Sequence, residues 1–555
     1  MKTLIVLDST HQVPFRRAKR AILEVADHIG LFFEVLDIAW LRLTERDLRP
    51  YALVILGQEG IAKSLSHEEF SVLFRRMTQG MGLVLLDGYL PGYPASFLSG
   101  LNATGWQDER TAAVRILPSH WISQRTAAQT VDLLQPLACH SYRRMPGWNP
   151  FLVSETSASV AAAAQFGRGK VVLFGLPAAV WQDDYLGHGA GLDGILWKSL
   201  VWAAHKPFPI KAMPPYVTAR VNAACGSARA SDICRRFSYL DTLARFQFVP
   251  AVGLYVKQCV ADDMEVVRRA YYGGRAEFSA QAFACPAGGQ PEPIYLRQDG
   301  SEFSDEEIAD HFAYLDRTFA SWDIRQARTL NALRGEVGRA CLPFLRERGQ
   351  TFLMNSTPLG RRSVDALPPG WELKPYGKPW FVLDAAMEAR DFFVCVSQPP
   401  IALPRGMSDD FLAGCTSCDR EFSSPDIPAA ITQGTTQILS GLENLVFGCL
   451  STSEERISRL RPAEWEEVVR GISLQIAGVP HLFRSYDQIS ACAANRMRFE
   501  IASAEEKDGL TILLKGESRQ PAYLTLFLDE TAGTVRQTFL EVPPFEKTVV
   551  LNFRL

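Results

Sequence analysis

Four carboxylates fall beside apolar runs that read as strands or helices: Glu277, Asp384 and Glu454 near expected strand ends, and Glu336 at an expected helix start. A pair such as Glu277 and Asp384, at suitable separation, would supply the acid and base of glycoside hydrolysis without a metal. Each carboxylate also has a structural use, Glu336 as a helix cap and Glu454 as a solvated surface group. Histidine, the usual proton carrier at neutral pH, is scarce. Between positions 208 and 489 there are only His311, in an amphipathic helix, and His481, in a loop after Val479-Pro480. Cys415-Thr416-Ser417-Cys418 is a lone CxxC motif. A structural zinc site takes four ligands, so without a second pair these read as loop thiols. The aromatic residues Trp371, Tyr376, Trp380 and Phe381, interspersed with Pro375, Gly377 and Pro379, could form a platform on which sugar rings stack.

These residues need a scaffold, and the chain is long enough for several cores. It has 555 residues, 47% hydrophobic and 21% charged, with a formal net charge of -3. This is globular α/β composition. A near-neutral net charge does not point to a nucleic-acid polyanion as partner, although it leaves room for a local basic patch. No apolar stretch reaches the roughly 18 residues that a membrane span needs. The opening MKTLIVLDST reads as a buried strand rather than a secretory leader. With 11 scattered cysteines, reduced core thiols and a cytoplasmic location are expected.

To about Pro207, continuous apolar strands (Thr3–Leu7, Phe32–Leu36, Ala52–Leu56, Gly82–Leu86 and Lys170–Phe174) alternate with amphipathic helices. That pattern predicts a parallel sheet covered on both faces. From Phe208 to Ile489 a second alternation begins, with strands at Tyr216–Val221, Val249–Val256, Ala276–Phe283, Thr351–Met354, Trp380–Leu383 and Phe392–Val396. It predicts a (β/α) barrel with its chemistry at the C-terminal strand ends. Ser490 to Leu555 holds five short strands punctuated by Gly509, Gly516, Gly533 and Pro543-Pro544. These predict a small β-sandwich packed on the barrel. The expected domains are therefore 1–207, 208–489 and 490–555.

In the first domain, GRGKVVLFGLP (Gly167 to Pro177) and GLDGILWKSLVWAAHKPF (Gly191 to Phe208) resemble the class I glutamine-amidotransferase-like, flavodoxin-type domain. An active amidotransferase needs a Cys on a strained strand-to-helix turn and a His beside it. Here Asp87-Gly88-Tyr89 follows the strand, and Cys139 sits next to His140 in an irregular-looking segment. The domain is expected to be scaffold or to bind a small ligand at its sheet edge.

The second domain is similar to the polysaccharide-deacetylase superfamily, in its exopolysaccharide-deacetylase-like branch. The resemblance rests on PPYVTARVNAACGS (Pro214 to Ser227), AEFSAQAF (Ala276 to Phe283), IYLRQDGSEFSDEEI (Ile294 to Ile308), TLNALRGEVGRACLPFLRERG (Thr329 to Gly349), SGLENLVFGCLSTSEERI (Ser440 to Ile457) and RSYDQISACAANR (Arg484 to Arg496). It implies a divalent metal, zinc for example, held by Asp and His, with a carboxylate base. The matching positions depart from that set. The Asp pair is Asn222-Ala223, the first His is Gln281, the next falls near Leu333 or Arg334, and the last is Ser453. Neutral amides are weak metal ligands.

The resemblance thus implies a pseudoenzyme that needs no cofactor. Arg220, Asn222, Gln281 and Trp380 are expected to line its binding cleft. It would serve as a carbohydrate-binding or assembly component of exopolysaccharide synthesis, with carbohydrate or polysaccharide-synthesis proteins as partners and a homo-oligomer among its possible states. The alternative is an active deacetylase or glycoside hydrolase with a divergent site, which in the deacetylase case would need the divalent metal.

Overall fold

The computed structural model describes the chain except residues 125, 127, 143–144, 227–233, 261–263, 287–288, 355–379, 383–391, 395–407, 416–424, 508, 531–532 and 555. Its residues form two compact units, Met1–Pro214 with Asn495–Leu555, and Pro215–Ala494. The architecture is multidomain α/β.

The first unit is built on a nine-stranded sheet. Its parallel half runs in the spatial order Phe33–Asp37, Lys2–Leu7, Tyr51–Leu56, Gly82–Leu85, Gly169–Phe174. This is the 2-1-3-4-5 order of doubly wound sheets. The central strands are apolar along their length because helices and loops cover both faces, and Ile5, Val6, Leu53, Val54, Leu83 and Val84 are fully enclosed.

Beyond Gly169–Phe174 the sheet turns antiparallel through Ser159–Phe166, Thr130–Tyr142, Trp106–Ile116 and Asn149–Ser154. The segment around Cys139 and His140, expected to be irregular, is therefore strand. Alternation places the two side chains on opposite faces. Burial first, then Glu109, pushes the Cys139 thiol up to about 12, so it is a protonated core thiol.

The C-terminal strands are antiparallel and form two sheets. One contains Phe499–Lys507, Gly509–Ser518 and Phe545–Phe553. The other pairs Ala522–Asp529 with Val535–Val542 and with Phe208–Ile210. These strands, expected as a separate sandwich, belong to the same unit as the N-terminal sheet. The reason is that the sandwich takes its sixth strand from Phe208–Ile210, just past the expected boundary at 207. It also buries Phe499, Ile501, Ile512, Leu514 and Leu524, with Met1 and Phe32 packed against them.

The second unit alternates parallel strands and helices. One sheet has the order Glu277–Ala282, Pro250–Tyr255, Tyr216–Ala224, Gly448–Ser453. The other contains Thr329–Leu330, Phe352–Leu353, Phe392–Val394 and Trp380–Val382, the last antiparallel to its neighbour. The sheets meet where Ala327 N donates to Phe278 O at 2.7 Å and Asn331 N donates to Ser279 Oγ at 3.2 Å. The result is a barrel-like arc. The helix expected from Glu336 begins only at Leu342, and Glu336 follows a short turn at Leu333–Gly335. It therefore does not stand at the start of that helix, whose N-cap is Cys341.

Candidate functional site

Strand parity decides what enters the arc. Val217, Ala219, Val221, Val252, Leu254, Phe278, Ala280, Leu330 and Leu450 join the hydrophobic core with helix residues such as Leu243, Phe312 and Ile472. Alternate residues on the same strands face the other way. On that inner face stand Thr218, Arg220 and Asn222, then Ser279 and Gln281, with Asn331 just past a two-residue strand. The register pairs Asn222 with Ser453. Of the positions expected to have lost metal ligands, Asn222, Gln281 and Ser453 thus lie at the C-terminal ends of strands of one sheet.

The cluster is held by hydrogen bonds among neutral amides and one guanidinium. Arg220 donates from Nε to Asn222 Oδ1 (2.9 Å) and from Nη2 to Asn331 Oδ1 (2.7 Å). Asn222 Oδ1 also accepts from Asn331 Nδ2 (3.0 Å) and Gln281 Nε2 (3.2 Å). Gln281 Oε1 accepts from Ala223 N at 2.6 Å. Ala223 presents that N–H because the strand bulges between Val221 and Ala224 and Ala223 adopts φ 54°, the left-handed region that favours glycine. Gly253 makes room for the pair opposite. A Cβ there would lie 2.8 Å from Asn331 Nδ2 and 2.9 Å from Gln281 Cδ.

Glu454 forms the rim. It is buried, and its carboxylate accepts from Cys225 N (3.1 Å), Gly226 N (3.3 Å) and Tyr239 OH (3.2 Å). The expectation of a solvated surface residue is corrected: Glu454 clasps the turn that follows Asn222-Ala223. Burial first, and then the Glu454 charge, holds the Tyr239 hydroxyl well above its ordinary value. Ser453 is the residue before the short helix Glu454–Ile457.

The other candidates do not converge here. Glu277 is the first residue of its strand, four positions before Gln281. At about 3.3 Å per residue it lies about 13 Å from the cluster. Its Oε2 accepts from Asp487 N at 3.1 Å, and burial, then the Asp487 carboxylate, raises its pKa. Asp384 lies outside the described residues, as do Trp371, Tyr376 and Cys418, and Trp380 is placed only as strand backbone. His311 lies against Phe283 and Phe303, with Nδ1 2.9 Å from Ile294 O.

Glu277→Gln is expected to fold and to be about 1 kcal/mol more stable than the parent near pH 7. Between the ordinary carboxylate value and the raised one, the native parent holds a proton that the unfolded chain lacks. Its stability therefore falls as pH rises through that window, and the glutamine variant escapes the fall. Denaturant unfolding at pH 5 and pH 8 checks this, with the variant's advantage larger at pH 8. A variant weaker than the parent at both values would refute it.

The resemblance to deacetylases implies a divalent metal, and the cluster does not fit one. Asn222 Oδ1 already accepts three donors and Asn331 Oδ1 is taken by Arg220. A fixed guanidinium stands where a cation would have to sit. Among the described residues no group of three or more His, Cys, Asp or Glu could hold a metal ion. The arrangement is suited to hydrogen-bonding a neutral or acidic polar ligand.

Asn331 was not among the residues expected at the site. The signal for it is weak: one amide directly after the two-residue strand Thr329–Leu330, two positions before Leu333.

No known family model matches the sequence, and no curated protein matches it. Several solved structures show slight likeness. A cytoplasmic protein of Salmonella typhimurium is 10% identical at a TM-score of 0.30, over 37% of this chain and 100% of that one. A β-galactosidase from Rahnella sp. R3 is 12% identical at 0.23, over 32% of this chain and 28% of that one. An exo-β-1,4-mannosidase from Opitutaceae bacterium strain TAV5 is 13% identical at 0.24, over 37% and 36%. The chain spans less than two fifths of either glycosidase. At these TM-scores none of them defines a fold or a role for this chain.

Proposed function

We propose that the strand-end cluster of the second unit is a metal-independent binding site for a hydroxyl- and amide-bearing sugar. On this reading the chain is a deacetylase-like pseudoenzyme, a carbohydrate-binding or assembly component of exopolysaccharide synthesis. The observation that carries the reading is the linked set Arg220–Asn222–Gln281–Asn331, in which Asn222 and Gln281 stand at positions where the resemblance implies metal ligands. Amides and a guanidinium offer the fixed donors and acceptors that select a sugar's hydroxyl and acetamido groups.

Calorimetric titration of the full chain with N-acetylglucosamine oligomers tests the reading. Saturable binding that EDTA leaves unchanged is expected, with about a tenfold loss in Arg220→Gln, the size of one charged hydrogen bond. Acetate release accompanied by stoichiometric bound zinc would overturn it in favour of an active deacetylase. Release of new reducing ends would instead favour a hydrolase, with Glu454 the carboxylate to test first because it adjoins the cluster.

A further inference from the structure

The first unit contains a cleft of about 540 Å³ at the N-terminal ends of its parallel strands, opposite the end where doubly wound sheets usually bind ligands. One wall is formed by Lys2, Phe32, Tyr51 and Met81 at the starts of successive strands. The far wall is Ser503–Lys507, the end of the first sandwich strand. The cleft therefore exists because the C-terminal strands pack in this unit. Its volume is within the range of small-molecule sites.

The charges of this cleft are unbalanced. Its fixed cations are Lys2, Arg49, Arg76 and Lys507, against the carboxylates Glu505 and Glu506. Glu505 lies 3.5 Å from Lys507, Glu506 lies 3.6 Å from His205, and Lys2 pairs with Glu34. The two arginines are left over. Arg49 makes no side-chain hydrogen bond or ion pair among the described residues. Arg76 donates from Nη1 to Gln79 Oε1 at 2.8 Å, and its Nε is buried without an acceptor.

Arg76 sits near the C-terminus of the helix His67–Thr78, but capping does not explain it. The last carbonyls are served by other donors: Arg75 O by Gln79 N, Arg76 O by Met81 N, Met77 O by Gly80 N and Thr78 O by Arg168 N. A guanidinium held in a cleft without a carboxylate or a capping duty is suited to an incoming anion. Two of them match the double charge of a phosphate monoester, and the rings of Phe32 and Tyr51 supply apolar wall for the organic part.

We infer that this cleft binds a small phosphorylated metabolite through Arg49 and Arg76. The test is titration of the full chain with glucose 1-phosphate, glucose and glucuronate at low and moderate salt. Glucose 1-phosphate should bind saturably and glucose should not, and added NaCl should weaken the binding. Arg49→Gln, at an exposed position that leaves the fold intact, should weaken it about tenfold, and Arg49→Gln with Arg76→Gln should abolish it. Equal affinity for glucose and its phosphate, or undiminished binding in either variant, would overturn the inference. Glucuronate binding as tightly as the phosphate would overturn the choice of phosphate.

Discussion

Replacing Glu454 with alanine should destabilise the second unit by about 3 kcal/mol or more, and Glu454→Gln by about 1 kcal/mol. The carboxylate is buried and is the acceptor for Cys225 N, Gly226 N and Tyr239 OH. Truncation to alanine leaves those donors with no partner in a dry site, at a cost of roughly 1–3 kcal/mol for each that water cannot reach. Glutamine keeps one carbonyl oxygen for the two backbone amides and loses the charge. The effect should extend to the sugar site, because the clasped turn begins two residues after the bulge at Ala223. Hydrogen exchange in the alanine variant should therefore accelerate along Tyr216–Ala224 more than along Glu277–Ala282. Denaturant unfolding gives the stability. An alanine variant within about 0.5 kcal/mol of the parent would show that Glu454 does not hold the rim.

The second large effect is on pH dependence in the first unit. Between pH 7 and pH 9 its stability should rise with pH, by up to about 1.4 kcal/mol per pH unit for each neutral buried lysine. Burial, with Lys170 adding to it, brings Lys206 down to about 7. Burial, then Arg496, brings Lys211 down to about 8. Above those values the native amines are neutral while the unfolded ones still carry protons. The unfolded chain thus binds more protons, and raising the pH favours the native state until the unfolded lysines titrate.

The window is bounded by groups that act in the other direction. Asp87, raised to about 7 by burial against the pull of its bonds to Gly60, Ala62 and Tyr89, makes stability fall with pH only below 7. The Cys139 thiol, pushed up to about 12, does so only above its unfolded value near 9. Thermal unfolding of the Glu277→Gln variant at pH 7, 8 and 9 reads the slope without the opposing effect of Glu277 in the second unit, and adding Lys206→Met should flatten it. A slope that is level or negative in the Glu277→Gln background would refute the assignment of neutral lysines.

The central parallel strands of both units were legible because they are buried on both faces. Runs such as Leu4–Leu7, Leu53–Leu56 and Val171–Phe174 have one physical use, the centre of a covered sheet. Asp305–Ser321 was equally legible from its apolar spacing, and Ser304 with Glu307 closes it as a capping box. The antiparallel half of the large sheet was not. Ser159–Phe166 is rich in alanine and carries little strand preference, and its neighbours mix polar and apolar residues because one of their faces is less covered. The candidate site was half legible. Asn222, Ala223, Gln281 and Ser453 were identified through the resemblance, and the structure brings them to one end of the sheet. Glu277 lies apart from the cluster because it opens its strand, whereas the cluster gathers at the C-terminal end.

From the chain alone came the residue types: amides where charged ligands would be needed, scarce histidine in the middle region, and strand periodicity strong enough to set two α/β blocks. These depend on local pattern and on chemistry that each side chain carries wherever it lies. Only the tertiary structure decided which residues meet. It put Asn331 into the cluster, turned Glu454 from surface group to clasp, and grouped the last sixty residues with the first domain through the strand Phe208–Ile210. Those outcomes depend on pairings between residues more than a hundred positions apart. Such pairings are selected by the total burial and hydrogen bonding of the folded chain, and no short window of sequence contains them.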